Sequence, residues 1–175
     1  MIDFTISVPR SKMINIRTNL WFDTQAEEAA RLYTGIFKNS KMGDVTCYPE
    51  AGKEIHGKEP GSVMAVTWEL NGQQFLGLNG GPHFTFNEAV SFEIMCEDQA
   101  ELDYYWDALS EGGDPSAQQC GWLKDKYGVS WQVVPKAWEA MSNDPDRAKS
   151  ERAMAAMFQM KKFDIAALQR AFDGT

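Results

Sequence analysis

Leu20-Trp21-Phe22-Asp23-Thr24-Gln25-Ala26-Glu27 carries a strand into a helix, and Cys96-Glu97-Asp98-Gln99-Ala100-Glu101 does so again. In the first stretch Thr24 and Glu27 have capping-box spacing: the hydroxyl accepts from the Glu27 backbone, and the carboxylate reaches back. Asp98 and Glu101 hold the same spacing in the second. Ala26, Ala29, Ala30, Tyr33, Ile36 and Phe37 then recur at helical intervals, as Leu102, Tyr105, Trp106 and Leu109 do after the second cap. The triplet Gln-Ala-Glu returns from residue 25 to residue 99, an offset of 74, and Tyr33 finds its counterpart in Trp106 at an offset of 73. A cap, a triplet and an aromatic two turns later, repeating together, read as a duplicated unit.

The flanking segments extend both copies. Ile14 to Phe22 is rich in β-formers and reads as a strand. After the first helix, Lys38 and Lys41 suit its negative end, and Val45 to Tyr48 reads as a short strand closed by Pro49. Glu50 to Gly61, with Gly52, Gly57, Pro60 and Gly61, reads as a loop. Ser62 to Leu70 and Gln73 to Leu78 form a hairpin through Asn71-Gly72. Asn79-Gly80-Gly81-Pro82 then breaks the chain. In the second copy Glu88 to Cys96 is the strand before the helix, and Gly112-Gly113 ends that helix. Ala117 to Lys124 and Val129 to Val134 form a hairpin through Asp125-Lys126-Tyr127-Gly128, stopped by Pro135. The remainder is helical: Lys136 to Met141, then Arg147 to Lys161 opened by Asn143-Asp144-Pro145, then Asp164 to Phe172. The expected organisation is an α+β fold of two βαβββ modules in tandem, residues 14–80 and 81–135. An extension of residues 1–13 precedes them and C-terminal helices over 136–175 follow. Neither unit buries both faces of its sheet alone, so the two should pack together.

Composition narrows the function classes. In 175 residues, 17 Lys and Arg stand against 25 Asp and Glu, a net charge of -8. Such a surface repels phosphate backbones and anionic headgroups, so neither nucleic acid nor membrane is an expected partner. The N-terminus lacks a basic start followed by a long apolar run, and a soluble, cytoplasmic protein is expected. Three cysteines, Cys47, Cys96 and Cys120, include no C-x-x-C, which argues against a disulfide framework or a thiolate zinc site.

Motif chemistry is sparse. G-x-S-x-G and H-E-x-x-H are absent, and no glycine-rich turn joins a strand to a helix. That removes a nucleophile elbow and a dinucleotide or S-adenosylmethionine cradle of Rossmann type. His56 falls in the polar loop. His83, in Asn79-Gly80-Gly81-Pro82-His83-Phe84-Thr85-Phe86, lies at the junction of the two units, where ligand sites form. Glu69 and Glu93 sit inside strands and point away from their apolar neighbours.

Several ordered motifs complete the reading. Leu20-Trp21-Phe22-Asp23, Leu78-Asn79-Gly80-Gly81-Pro82, Asn87-Glu88-Ala89-Val90-Ser91-Phe92, Cys120-Gly121-Trp122-Leu123-Lys124-Asp125 and Gly128-Val129-Ser130-Trp131-Gln132 with Pro135 resemble the PhnB-like branch of the vicinal oxygen chelate (glyoxalase/bleomycin-resistance/dioxygenase) superfamily. That branch is often labelled 3-demethylubiquinone-9 3-methyltransferase, and the resemblance covers residues 14 to 135. It implies curled sheets enclosing a cavity, and a homodimer paired across sheet edges. Metal-dependent members place His and Glu ligands on the first and last strand of each module. Those positions read here as Thr18 and Gly77, each to within one residue, Ser91 and Gln132. None offers imidazole, thiolate or carboxylate, so no cofactor is expected; a divalent metal rebuilt around His83 and Glu93 is the alternative. The expectation is a metal-free small-molecule binder whose cavity is lined by Asn79, His83, Phe84, Phe86, Glu93, Trp122 and Gln132. A metal-dependent lyase or dioxygenase, or a methyltransferase, is the competing reading.

Overall fold

The computed structural model describes residues 15–175. The first sheet contains β1 (Thr18–Phe22), β2 (Ser40–Cys47), β3 (Val63–Leu70) and β4 (Gln73–Asn79), in the order β1-β4-β3-β2. β1 runs parallel to β4, and the remaining pairs are antiparallel. Parallel pairing requires a crossover, which α1 (Ala26–Ile36) begins. The second sheet contains β5 (Phe92–Cys96), β6 (Trp122–Lys124) and β7 (Ser130–Pro135), in the order β5-β7-β6, again with its first strand parallel to its last. α3 (Gln99–Ser110) follows β5 as α1 follows β1. The architecture is α+β with two mixed sheets and C-terminal helices.

The second unit is one strand short. Where β2 would stand, the chain makes a 3₁₀ turn at Pro115–Ala117 and a single bridge between Gln119 and Trp122. The continuous strand expected over Ala117 to Lys124 folds back at Cys120 and Gly121, whose φ values are +52° and +84°. Two consecutive left-handed residues make a tight hairpin turn, and Gln119 and Trp122 exchange both backbone hydrogen bonds across it. The diversion holds the C-terminal region: Cys120 and Gly121 donate backbone N–H groups to the Met160 and Lys161 carbonyls. A Cβ on Gly121 would come within 2.5 Å of the Phe163 ring, so only glycine fits there.

Other expectations shift in detail. The Thr24–Glu27 capping box does not form, because α1 has no side-chain cap of its own. Asn79 Oδ1 takes its place, accepting from the Ala26 N–H at 2.8 Å from the far end of β4. The second box does form: Asp98 accepts from the Glu101 N–H, and Glu101 in turn accepts from the Glu97 N–H. β1 begins at Thr18, while the expected start at Ile14 and the expected extension over 1–13 lie outside the described residues; β5 begins at Phe92 rather than Glu88. β2 starts earlier than expected, at Ser40, with a bulge between Met42 and Val45. The expected loop contains one helical turn, α2 (Lys53–His56).

Beyond β7 lie α4 (Ala137–Ser142), α5 (Arg147–Met157) and α6 (Ile165–Asp173). Asp146 and Asp164 cap α5 and α6 through their carboxylates, and α5 stops before the expected Lys161. Gln99 fastens this region to α3, donating to the Phe163 carbonyl and accepting from the Ile165 N–H.

The two units meet through their helix-bearing faces. Phe37, at the end of α1, stacks on both Tyr105 and Trp131, at 5.1 and 5.4 Å between ring centres. Phe92 bridges the sheets, touching Phe75 on one side and Trp131 on the other. At the centre Asp125 is nearly buried and accepts four hydrogen bonds: Tyr33 Oη at 2.7 Å, Trp131 Nε1 at 2.9 Å, and the Tyr127 and Val129 backbone N–H groups. Four donors offset the desolvation of a carboxylate that the packing between units would otherwise make costly.

Candidate functional site

Register and pleat build one continuous row on the second sheet. Glu93 stands opposite Gln132, and Gln132 stands opposite Trp122. Directly paired residues share a face, so all three lie on the same side of the three strands. It is the side away from α3, since the alternate residues Trp131, Val133 and Leu123 are buried with that helix. Ser91 joins the row: Gln132 Nε2 donates to Ser91 Oγ at 2.8 Å. Glu93 is exposed, and Gln132 and Trp122 are half-buried. The row offers an indole plane, an amide held in place by a hydroxyl, and a carboxylate.

The other expected cavity residues lie apart from this row. Asn79 is 5 % exposed, and its side chain is fully engaged, accepting from Ala26 and donating to the Val63 carbonyl. Its role in the fold is to fasten α1 to β4. His83 is exposed, with its ring near Gly81. Phe84, also exposed, sets its ring edge-on to Trp21 at 5.0 Å, and Phe86 does the same to Phe22 at 5.2 Å. His56 secures its own loop, where Nδ1 accepts from the Lys58 N–H. Glu69 pairs with Lys41 at 3.3 Å on the outer face of the first sheet.

The four positions at which the resemblance led ligands to be expected, Thr18, Gly77, Ser91 and Gln132, give a donor set that does not suit a divalent cation. Thr18 and Gly77 share the face of Leu20 and Phe22, which α1 covers. A Cβ at Gly77 would meet Ala26 Cβ at 2.9 Å and Trp68 Cζ3 at 3.0 Å. Their neighbours on the outer face, Asn19 and Leu76, bring no charged donor either. Ser91 and Gln132 satisfy one another. Among the described residues no group of three His, Cys, Asp or Glu is placed to hold a metal ion. Transition-metal sites need imidazole, thiolate or carboxylate donors, which these four positions lack.

Cysteine chemistry is muted in the core. Cys96 is fully buried, and burial pushes its thiol up to about 12, away from the thiolate a nucleophile needs. Cys47 is exposed on β2, and Cys120 is half-buried in the tight turn.

Sequence periodicity assigned Tyr105 and Phe37 to helix stripes, but not to a shared surface. With Phe75, Phe92 and Trp131 they line a cleft of about 420 Å³ between the two units. No local signal marks this cleft, because its walls come from α1, β4, β5, α3 and β7.

Comparison with known proteins places these features in a family. The 3-demethylubiquinone-9 3-methyltransferase family matches residues 14–134. A solved structure described as a putative 3-demethylubiquinone-9 3-methyltransferase, PhnB protein, from Bacillus cereus is 35% identical. That match covers 70% of this chain and 99% of the relative, with a TM-score of 0.59. Protein PA1353 from Pseudomonas aeruginosa, 18% identical over 71% of this chain and 98% of its own, shares the fold with a TM-score of 0.54. No curated protein matches the chain. Together with the repeated parallel first-to-last strand pairing, these likenesses make the chain a member of the PhnB-like, 3-demethylubiquinone-9 3-methyltransferase family.

Proposed function

We propose that the protein binds a small organic molecule against the outer face of the second sheet, and does so without a metal ion. The observation that carries this reading is the aligned row Glu93–Gln132–Trp122, with Gln132 held by Ser91 where relatives of metal-dependent type place ligands. An indole supplies apolar area for a flat ligand, while the amide and the carboxylate fix its orientation. His83, Phe84 and Phe86 remain candidates for the rim and Asn79 for its support. The face is open, and a second copy of the chain closing it, as a homodimer, belongs to the same proposal. The net charge of -8 supports a cytoplasmic setting without nucleic-acid or lipid partners; among the described residues no helix is long and apolar enough to cross a membrane.

The test combines elemental analysis of protein purified without affinity-tag metals with mass spectrometry of co-purifying small molecules. Thermal-shift screening of quinone-like aromatics and S-adenosylmethionine accompanies them. The reading expects less than a tenth of an equivalent of any divalent ion, and stabilisation by a flat organic ligand that Gln132→Leu abolishes. One equivalent of zinc, nickel or iron per chain overturns it, and stabilisation by S-adenosylmethionine would restore the methyl transfer that the family name describes.

A further inference from the structure

The cleft between the two units carries chemistry that the row on the outer face does not use. Its aromatic residues Phe37, Phe75, Phe92, Tyr105 and Trp131 come from both units. Phe75, Tyr105 and Trp131 are buried and form its floor, whereas Phe37 and Phe92 are half-buried and reach its opening. This hollow of about 420 Å³ continues past the start of α3 into a second of about 460 Å³, and the two share Lys38, Glu101 and Tyr105. Sites for small organic molecules have volumes of about 300–1,000 Å³.

The charges around these hollows are lopsided. Glu93, Glu97, Asp98 and Glu101 line them, against the single cation Lys38. Lys136, which lines neither, pairs with Glu97. Glu93, Asp98 and Glu101 form no ion pair among the described residues. Asp98 and Glu101 each accept a backbone N–H in the capping box, and each carboxylate keeps further lone pairs for a ligand. Burial, and after it the Glu101 carboxylate, push the Tyr105 phenol up, so the field of that carboxylate reaches the aromatic floor. Lys38 is exposed, where water and salt screen its charge.

Aromatic rings bordered by carboxylates without a counter-ion favour one ligand chemistry. The face of a ring is electronegative and attracts a cation held against it. The carboxylates add direct attraction, and the net charge of -8 raises the local concentration of cations. A neutral aromatic molecule would gain only buried area here, and an anion would be repelled. We propose that the inter-unit cleft binds a small organic cation, an apolar body ending in a protonated amine or a quaternary ammonium. The body lies against Phe37 and Phe92, and the charge turns toward Glu101. Tyr105 and Trp131, the floor of this cleft, belong to the helix-bearing side of the second unit, so the site stands independently of the outer-face reading.

Titration of the full-length protein at neutral pH with phenethylammonium, phenethyl alcohol and phenylacetate, followed by calorimetry and tryptophan fluorescence, tests this. The ammonium should bind about tenfold more tightly than the alcohol, and phenylacetate more weakly than either. Glu101→Gln keeps the capping box, because Gln also accepts from the Glu97 N–H. It should weaken the ammonium about tenfold and leave the alcohol unchanged. Lys38→Gln, at an exposed position, should strengthen the ammonium about threefold. Gln132→Leu should not change it, which separates this site from the outer-face row. Equal affinity for ammonium and alcohol, or tighter binding of phenylacetate, overturns the proposal. So does ammonium binding that is unchanged in both Glu101→Gln and Lys38→Gln, or lost in Gln132→Leu.

Discussion

Tyr33→Phe isolates the contact that joins the two units. The ring keeps its neighbours Trp131, Trp68 and Tyr127, and only the hydroxyl that donates to Asp125 at 2.7 Å is removed. A hydrogen bond to a buried charged group contributes about 1.5–3 kcal/mol. In a chain of this length that corresponds to a fall in melting temperature of about 4–10 °C. The loss should also depend on pH. Burial raises the Asp125 pKa, and its hydrogen bonds from Tyr33, Trp131 and the two backbone groups pull against that rise. An acid whose folded pKa exceeds its unfolded value, about 3.9, favours the fold at low pH. That contribution is lost as pH rises through the folded pKa. Removing the Tyr33 donor raises the folded pKa further, so the deficit of the variant is full at pH 7. It shrinks toward acid, where the protonated carboxyl loses only a neutral bond of about 1 kcal/mol. Urea denaturation of parent and variant between pH 4 and 8 measures both quantities. A deficit below 0.5 kcal/mol, or one that stays constant over this range, would refute the assignment of Asp125 as a buried, ionised hub.

Three further perturbations follow from the geometry. Gly77→Ala forces a methyl between Ala26 and the Trp68 ring, and overpacking of this kind costs about 1–3 kcal/mol; a melting temperature equal to that of the parent would show that α1 lifts freely from the sheet. Asn79→Ala removes both the Ala26 cap and the bond to the Val63 carbonyl. It should cost about 1–2 kcal/mol and speed amide exchange in the first turn of α1, while β7 stays unaffected. With a thiol-specific reagent at pH 8, exposed Cys47 should react at once and buried Cys96, its thiol raised to about 12, only in denaturant; equal rates for the two contradict the packing around β5.

Much of the fold was legible locally. The Gln-Ala-Glu repeat, the Asp98–Glu101 box, the Asn71-Gly72 hairpin and the apolar stripes of both helices each depend on residues within a few positions of one another, so sequence alone determined two strand–helix–hairpin units and their order. The motifs that carry the family resemblance were likewise contiguous, and the family match spans nearly the same residues. What required tertiary structure is whatever two distant segments decide together. Asn79 reads as a residue in a chain break, yet it caps a helix that starts 53 positions earlier. Asp125 reads as a turn residue, yet it receives Tyr33 from across the unit boundary. The second sheet has three strands rather than four, and Cys120 and Gly121 bond instead to the Met160 and Lys161 carbonyls, which no local pattern foretells. The aligned row on the second sheet depends on the register of β5 against β7, and the cleft beside it on how two aromatic surfaces meet. Propensity and periodicity act over a few residues, whereas registers and burial are settled by the whole chain at once, when apolar faces choose their partners.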